Sequence, residues 1–200
     1  MAGLLNGTEN ETLNTDNPIV KCWHEMKYRP ICICFDLDYT LWPMLVDKDI
    51  LPPLKKKNNI VYDHNNKKVI HFDEVPKVLA SLKECFNQSK TKHYLAIASK
   101  ATTHNLAVEL IQMYGWLDYF NSIQVYSGIK IKHMKQIQQE LKLKDFRDIL
   151  FFDDSKSNIT QTEALGLTAY QVGHQNGLCV RDFINGLKKF DIQNTILRKN

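Results

Sequence analysis

The chain has 200 residues, 44% of them hydrophobic and 24% charged, with a formal net charge of +4. That is enough apolar material for one domain with a core, and too mild a basic excess to indicate a nucleic-acid partner. No apolar run approaches the roughly 20 residues that cross a bilayer, and the N-terminus lacks the basic flank and apolar stretch of a signal peptide, so a cytoplasmic setting without a membrane partner is expected.

In chain order, residues 1–28 open with a stretch rich in Asn, Thr and Glu that has no apolar periodicity, and they read as a disordered or loosely structured leader. Residues 29–192 then read as a single domain, with 193–200 as a tail. Short apolar runs alternate with amphipathic stretches, the pattern of a parallel sheet with helices on both faces: a three-layer, Rossmann-like α/β fold. Strands are expected over 31–36, 93–98, 122–126, 148–152 and 168–172. Helices are expected over 74–87, 102–114, 131–142, 156–165 and 178–189, with stripes such as Val75, Val78, Leu79, Leu82 and Phe86 turned to the core.

The first strand carries the strongest chemical signal. Residues 31–43 read ICICFDLDYTLWP, an apolar run that ends abruptly in Asp36 and Asp38, with Thr40 close behind. Side chains at i and i+2 of an extended segment share a side, so both carboxyl groups face one spot while Leu37 turns to the core. Two like charges about 4 Å apart repel by roughly 4 kcal/mol at an effective dielectric near 20, so the pair needs a cation. An all-oxygen donor set suits Mg²⁺ rather than zinc. The five cysteines include no CxxC pair, and Cys32 and Cys34 read as small space-fillers of the strand.

Residues 42–73 are too many for a simple turn and predict an insert. The runs on either side of His64, Asn65 and Asn66 suggest a small β-hairpin flap over the sheet edge from which Asp36 and Asp38 emerge. Lys48, Lys55, Lys56, Lys57, Lys67 and Lys68 cluster here; they read either as an attractor for an anionic substrate or as a solvated basic loop.

Further polar groups follow the other strands. Ser99 and Lys100 end the second, Gly128, Ile129 and Lys130 follow the third, and Asp153 and Asp154 end the fourth, repeating apolar residues that run straight into paired acids. One of these last acids could be a helix cap, but capping does not account for both pairs. A carboxylate nucleophile, an acid/base carboxylate, metal ligands and phosphate-binding cations make up the inventory for phosphoryl transfer.

These residues, in this order and at strand ends over about 30–175, resemble the four motifs of the haloacid dehalogenase superfamily. Within it, FDLDYTLWP, IASK and FFDD are most similar to the magnesium-dependent phosphatase family described as protein-tyrosine-phosphatase-like. The resemblance implies a haloacid dehalogenase-like fold and an Mg²⁺-dependent phosphomonoesterase that forms an aspartyl-phosphate on Asp36. Asp38 would be the acid and base, its main-chain carbonyl helping to hold the metal. Ser99, Lys130, Lys100 and Thr40 would contact the phosphoryl group or support it, with Lys100 standing where many members carry Arg. Asp36 would also bind Mg²⁺ through its second oxygen, and Asp154 would be the metal ligand from the last motif, with Asp153 as supporting partner or co-ligand. Trp42 also matches and is placed beside the substrate, although a Trp there is also ordinary packing.

The substrates implied are phosphotyrosine on proteins or peptides and sugar phosphates, including those linked to amines. Two alternatives share the fold: a non-catalytic phosphate-binding module, and a phosphatase of nucleic-acid ends. Nothing in the sequence specifies an oligomeric state.

Overall fold

A strand buried along its whole length belongs inside a sheet, and β1 (Cys32–Phe35) is central in the computed structural model, which describes residues 16–199. It pairs in parallel with β5 (Tyr94–Ser99) on one side and β7 (Ile149–Asp153) on the other. Beyond them lie β6 (Ser122–Val125) and β8 (Thr168–Gln171), giving the order β6-β5-β1-β7-β8. The chain reverses its direction of travel across the sheet at β1, so the crevice at the carboxyl ends of β1, β5 and β7 is the ligand-binding position of such a sheet. Phe35 stands in register with both Ile97 and Phe152, and so Asp36, Ala98 and Asp153 share one row.

Alternation along β1 divides the core in two. Ile33 and Phe35 face the layer of α3 (Val75–Asn87), α4 (His104–Met113) and α7 (Val180–Leu197), whereas Cys32 and Cys34 face α5 (Lys130–Glu140) and α6 (Lys156–Glu163). The cysteines pack among Ala96, Ala98 and Phe151, where small side chains fit. This is the expected three-layer α/β arrangement.

Two boundaries differ from expectation. Residues 1–15 of the leader lie outside the described residues, but α1 (Pro18–Glu25) falls within its span and is a buried part of the domain. Asn17 caps it by accepting from the Ile19 N–H at 3.0 Å, and Pro18 occupies the first turn, where no donor is missed. Ile19, Val20 and Trp23 bury against the core, with Trp23 packed on Phe86 and edge-on to His93. At the other end, residues 193–197 of the expected tail continue α7, because Phe183, Leu187, Phe190 and Asn194 keep one helical face buried.

The insert is also larger than a hairpin. β3 (Ile60–Tyr62) and β4 (Lys68–Val69) flank the expected turn, and β2 (Lys55–Lys57) adds a third antiparallel strand. Asn58 and Asn59 both take positive φ, 50° and 63°, which is how a two-residue hairpin turn matches strand twist. Ahead of this sheet lies α2 (Val46–Asp49). No described helix is long and apolar enough to cross a membrane.

Because Trp23 is 1% exposed, Trp23→Ala should lower unfolding free energy by about 3–5 kcal/mol in urea titration. A change below about 1 kcal/mol would show that α1 is a dispensable leader after all.

Candidate active site

At the end of β1 the chain turns sharply. The Leu41 N–H bonds to the Leu37 carbonyl at 2.8 Å and the Tyr39 N–H to the Trp42 carbonyl at 2.8 Å, with Tyr39 at φ 55°. A left-handed tyrosine costs roughly 1–3 kcal/mol and persists where its surroundings hold it. Leu37 and Leu41 are fully buried, which anchors the turn and sends Asp36 and Asp38 to the crevice.

A cavity of about 260 Å³ opens there, lined by Asp36, Asp38, Tyr39, Leu45, Asp47, Ser99, Lys100, Ala101 and Asp154. Carboxylate oxygens of Asp36, Asp153 and Asp154 lie within 4.8 Å of one another. The structure thus brings together acids that are more than a hundred residues apart in the chain.

Lys130 forms the floor beneath them. Its side chain is wholly buried, with Nζ 2.6 Å from Asp36 Oδ1 and 3.2 Å from Asp153 Oδ2, and it also donates to the Ala98 carbonyl. These three acceptors match the three N–H groups of an ammonium. Lys130 is not among the residues that line the cavity; it braces the acids from below. Two carboxylates share one cation, so the trio keeps a surplus negative charge. Burial pushes Asp36 up against the pull of Lys130, and burial followed by the Asp36 charge pushes Asp153 up to about 6. Desolvation works against the Lys130 charge, but Asp36 and Asp153 outweigh it and hold its pKa above the usual lysine value.

Asp153 is wholly buried, and Asn158 Nδ2 reaches both of its oxygens at 3.0 Å, with the Ser155 N–H at 2.8 Å. Asp154 faces the cavity and pairs with His174 Nδ1 at 2.7 Å, while the His174 ring stacks on Tyr39 at 3.9 Å. The loop carrying His174 is held close by Gly177. At φ 54° a side chain there is strained, and a Cβ would lie 2.1 Å from the Phe72 ring.

Asp38 accepts from Trp42 Nε1 at 2.7 Å and from the Val46 N–H at 3.2 Å. Burial raises its pKa to about 6 in spite of those two bonds. Trp42 is itself fully buried and does not line the cavity; its indole holds Asp38 from behind. Thr40 is likewise buried and off the cavity; its carbonyl accepts from the Leu178 N–H at 2.9 Å, and its hydroxyl has no partner. Ser99 lines the cavity with its Oγ accepting from the Ala101 N–H at 3.3 Å, which leaves its hydroxyl proton free to be donated. Lys100 also lines it and reaches Asn158 Oδ1 at 3.0 Å.

From the insert only Leu45 and Asp47 touch this cavity, and none of the six clustered lysines does. Lys56 instead bonds the Met113 carbonyl and Lys67 the Asp49 carbonyl. The expected flap over the site is thus reduced to α2 and the residue before it. Asn158, His174 and Asp47 were not singled out in the sequence. Asn158 alone had a local signal, lying one helical turn beyond a pair of strand-end acids.

Residues 28–193 match the family described as acid phosphatase. The chain belongs to the acid phosphatase family. It is 33% identical over 162 residues to magnesium-dependent phosphatase 1 of Homo sapiens, covering 80% of this chain and 87% of that relative. A haloacid dehalogenase-superfamily hydrolase from Ehrlichia chaffeensis superposes with a TM-score of 0.53 at 18% identity, covering 85% of this chain and 97% of that one. The N-terminal, phosphatase-domain part of a Bacteroides fragilis protein, solved with Mg, gives 0.56 at 17% identity; it covers 88% of this chain, which spans 43% of that one. At such identities the solved structures establish the haloacid dehalogenase-like fold. As a member of the acid phosphatase family the protein is a phosphoric monoester hydrolase.

The raised Asp38 carboxyl has a consequence for stability. Unfolded, it titrates near the ordinary value of about 3.9; folded, near 6. Between these values the folded state binds the extra proton, so stability from this group is fully present below about pH 4 and is lost as pH rises through 6. Asp38→Asn in metal-free buffer should therefore exceed wild type in urea stability by on the order of 2–3 kcal/mol near pH 7.5, and approach it near pH 4. An Asn variant less stable than wild type near pH 7.5 would contradict this.

Proposed function

We propose that the protein is an Mg²⁺-dependent phosphomonoesterase that works through an aspartyl-phosphate on Asp36. The observation that supports it best is the convergence of Asp36, Asp153 and Asp154 on one point, beside a half-buried acid whose pKa lies near 6. The donor set fits magnesium: every donor is an oxygen, and the buried trio has negative charge to spare. Asp36 and Asp154 would hold the ion, with Asp153 as supporting partner and the Asp38 carbonyl as a further donor. The human relative is named for magnesium dependence, and the Bacteroides fragilis domain was solved with Mg. When bound, the ion supplies positive charge against the phosphate and the acids.

Every other step falls to the chain. Lys130 holds Asp36 Oδ1, which leaves the second carboxylate oxygen to attack phosphorus. As that bond forms, the bond to the leaving oxygen breaks, and Asp38, steadied by Trp42 and the Val46 N–H, gives the leaving oxygen its proton. Asp38 then takes a proton from water, which attacks phosphorus and releases inorganic phosphate and a free Asp36. The Ser99 hydroxyl and the Lys100 ammonium bind phosphoryl oxygens. Asn158 aims Lys100 at them and, through its other side-chain atoms, secures Asp153.

The cavity has room for the phosphoryl group, and the insert presents to it only Leu45 and Asp47. The leaving group therefore extends outward, which suits phosphotyrosine on peptides and sugar phosphates, including amine-linked ones. Para-nitrophenyl phosphate should be hydrolysed with Mg²⁺, not after chelation, and again when Mg²⁺ is restored. Asp36→Asn should lower kcat on the order of a thousandfold or more. Unchanged turnover by that variant would overturn the nucleophile assignment, and phosphate binding without turnover in wild type would leave a binding module.

A further inference from the structure

Asp47 is the first acid of the short helix α2, exposed to solvent and 52 residues away in sequence from Ser99. Its carboxylate nevertheless accepts four hydrogen bonds from two residues just past β5. The Thr102 N–H donates at 2.8 Å, the Thr102 hydroxyl at 2.9 Å and the Thr103 N–H at 3.0 Å, and the Thr103 hydroxyl donates as well. Burial works to raise the Asp47 pKa, but these bonds outweigh it and hold the carboxyl below its ordinary value.

The donors stand at the start of α4, where Thr103 is the N-cap position. An N-cap threonine ordinarily turns its oxygen to the N–H groups of its own helix. Here the Thr103 hydroxyl makes no such bond and is directed to Asp47 instead. The anion at this helix start is thus supplied by the insert.

The neighbours of Asp47 give the contact its meaning. Val46, one residue earlier, donates its N–H to Asp38 at 3.2 Å. Ser99, Lys100 and Ala101, immediately before the two threonines, line the catalytic cavity, as Asp47 itself does. Consecutive residues of α2 therefore grip the proposed acid with one hand and the turn that presents Ser99 and Lys100 with the other. The Asp49 carboxylate accepts from the Leu45 N–H at 2.7 Å and closes the first turn of α2, so this bracket is internally fixed.

We propose that Asp47 is a positioning residue: by fastening Thr102 and Thr103 to α2, it sets where Ser99 and Lys100 stand relative to Asp36 and Asp38. This rests on the reading of the cavity as a phosphomonoesterase site with Ser99 and Lys100 on the phosphoryl group. A carboxylate that merely capped α4 would contribute to helix stability and leave phosphate affinity alone.

The test uses the full chain with Mg²⁺, para-nitrophenyl phosphate as substrate and inorganic phosphate as competing ligand. Asp47→Ala should raise KM and the inhibition constant of phosphate together, each about tenfold, while kcat stays within about threefold. Asp47→Asn, which keeps one carbonyl acceptor, should fall between Ala and wild type. The double variant Thr102→Val/Thr103→Val retains both backbone donors and should shift both constants in the same direction by less; it decides the matter alone if Asp47→Ala does not fold. KM and phosphate inhibition unmoved in these variants, with only the melting temperature lowered, would overturn the proposal. A wild-type protein that neither turns over substrate nor binds phosphate would instead overturn the phosphatase reading on which it rests.

Discussion

The ammonium of Lys130 sits between Asp36 and Asp153 with no exposure to solvent, at 2.6 and 3.2 Å. A buried lysine without partners would lose its proton, and two buried carboxylates without a cation would gain one. Lys130 is kept charged by the two acids, and Lys130 is the chief group that holds each acid charged, so the acidic edge depends on their mutual placement. That placement comes from three separate elements. β1 and β7 run in register and end in the two acids, and α5 begins at Lys130, so the side chain enters beneath the row that Ala98 shares with them. The Ala98 carbonyl takes the third N–H and ties β5 into the same arrangement.

From that floor, contacts spread outward and become progressively wetter. Asn158 links Asp153 to Lys100, which lines the cavity, and Asp154 links the rim to His174 and, through the ring stack, to Tyr39. On the opposite wall Trp42 and Val46 hold Asp38. The proposed nucleophile is thus the more deeply buried acid and the proposed acid/base the more accessible one, a division of labour that suits one group attacking phosphorus and another exchanging protons with water. The surplus negative charge of the floor favours a dication above it, and the dication in turn lets a phosphate dianion approach.

How much of this the sequence reveals depends on whether a signal is local. β1, β5 and β7 are legible as short apolar runs with a sharp end, β6 and β8 from their place in the alternation with helices, and the acids because they interrupt such runs. α1 was hidden behind a polar leader, although Asn17 followed by Pro18 is a helix-start signature of its own. β2 was hidden by its composition, since three exposed lysines give no alternation; only Asn58 and Asn59 mark the turn that makes it a strand. Trp42 shows the deeper limit. Its presence beside the motif was plain, but the direction of an indole is decided by the packing of Leu37, Leu41 and the insert around it, not by spacing. The same holds for Asp47 and His174, whose partners lie 55 and 20 residues away.

The dependence of the acidic edge on one buried cation is tested most directly by urea unfolding of Lys130→Met beside wild type, each with and without Mg²⁺. The account predicts that the variant loses about 3–5 kcal/mol in chelator, because two buried carboxylates are left without their partner, and that Mg²⁺ restores part of the loss. Equal stability of variant and wild type in chelator would contradict it.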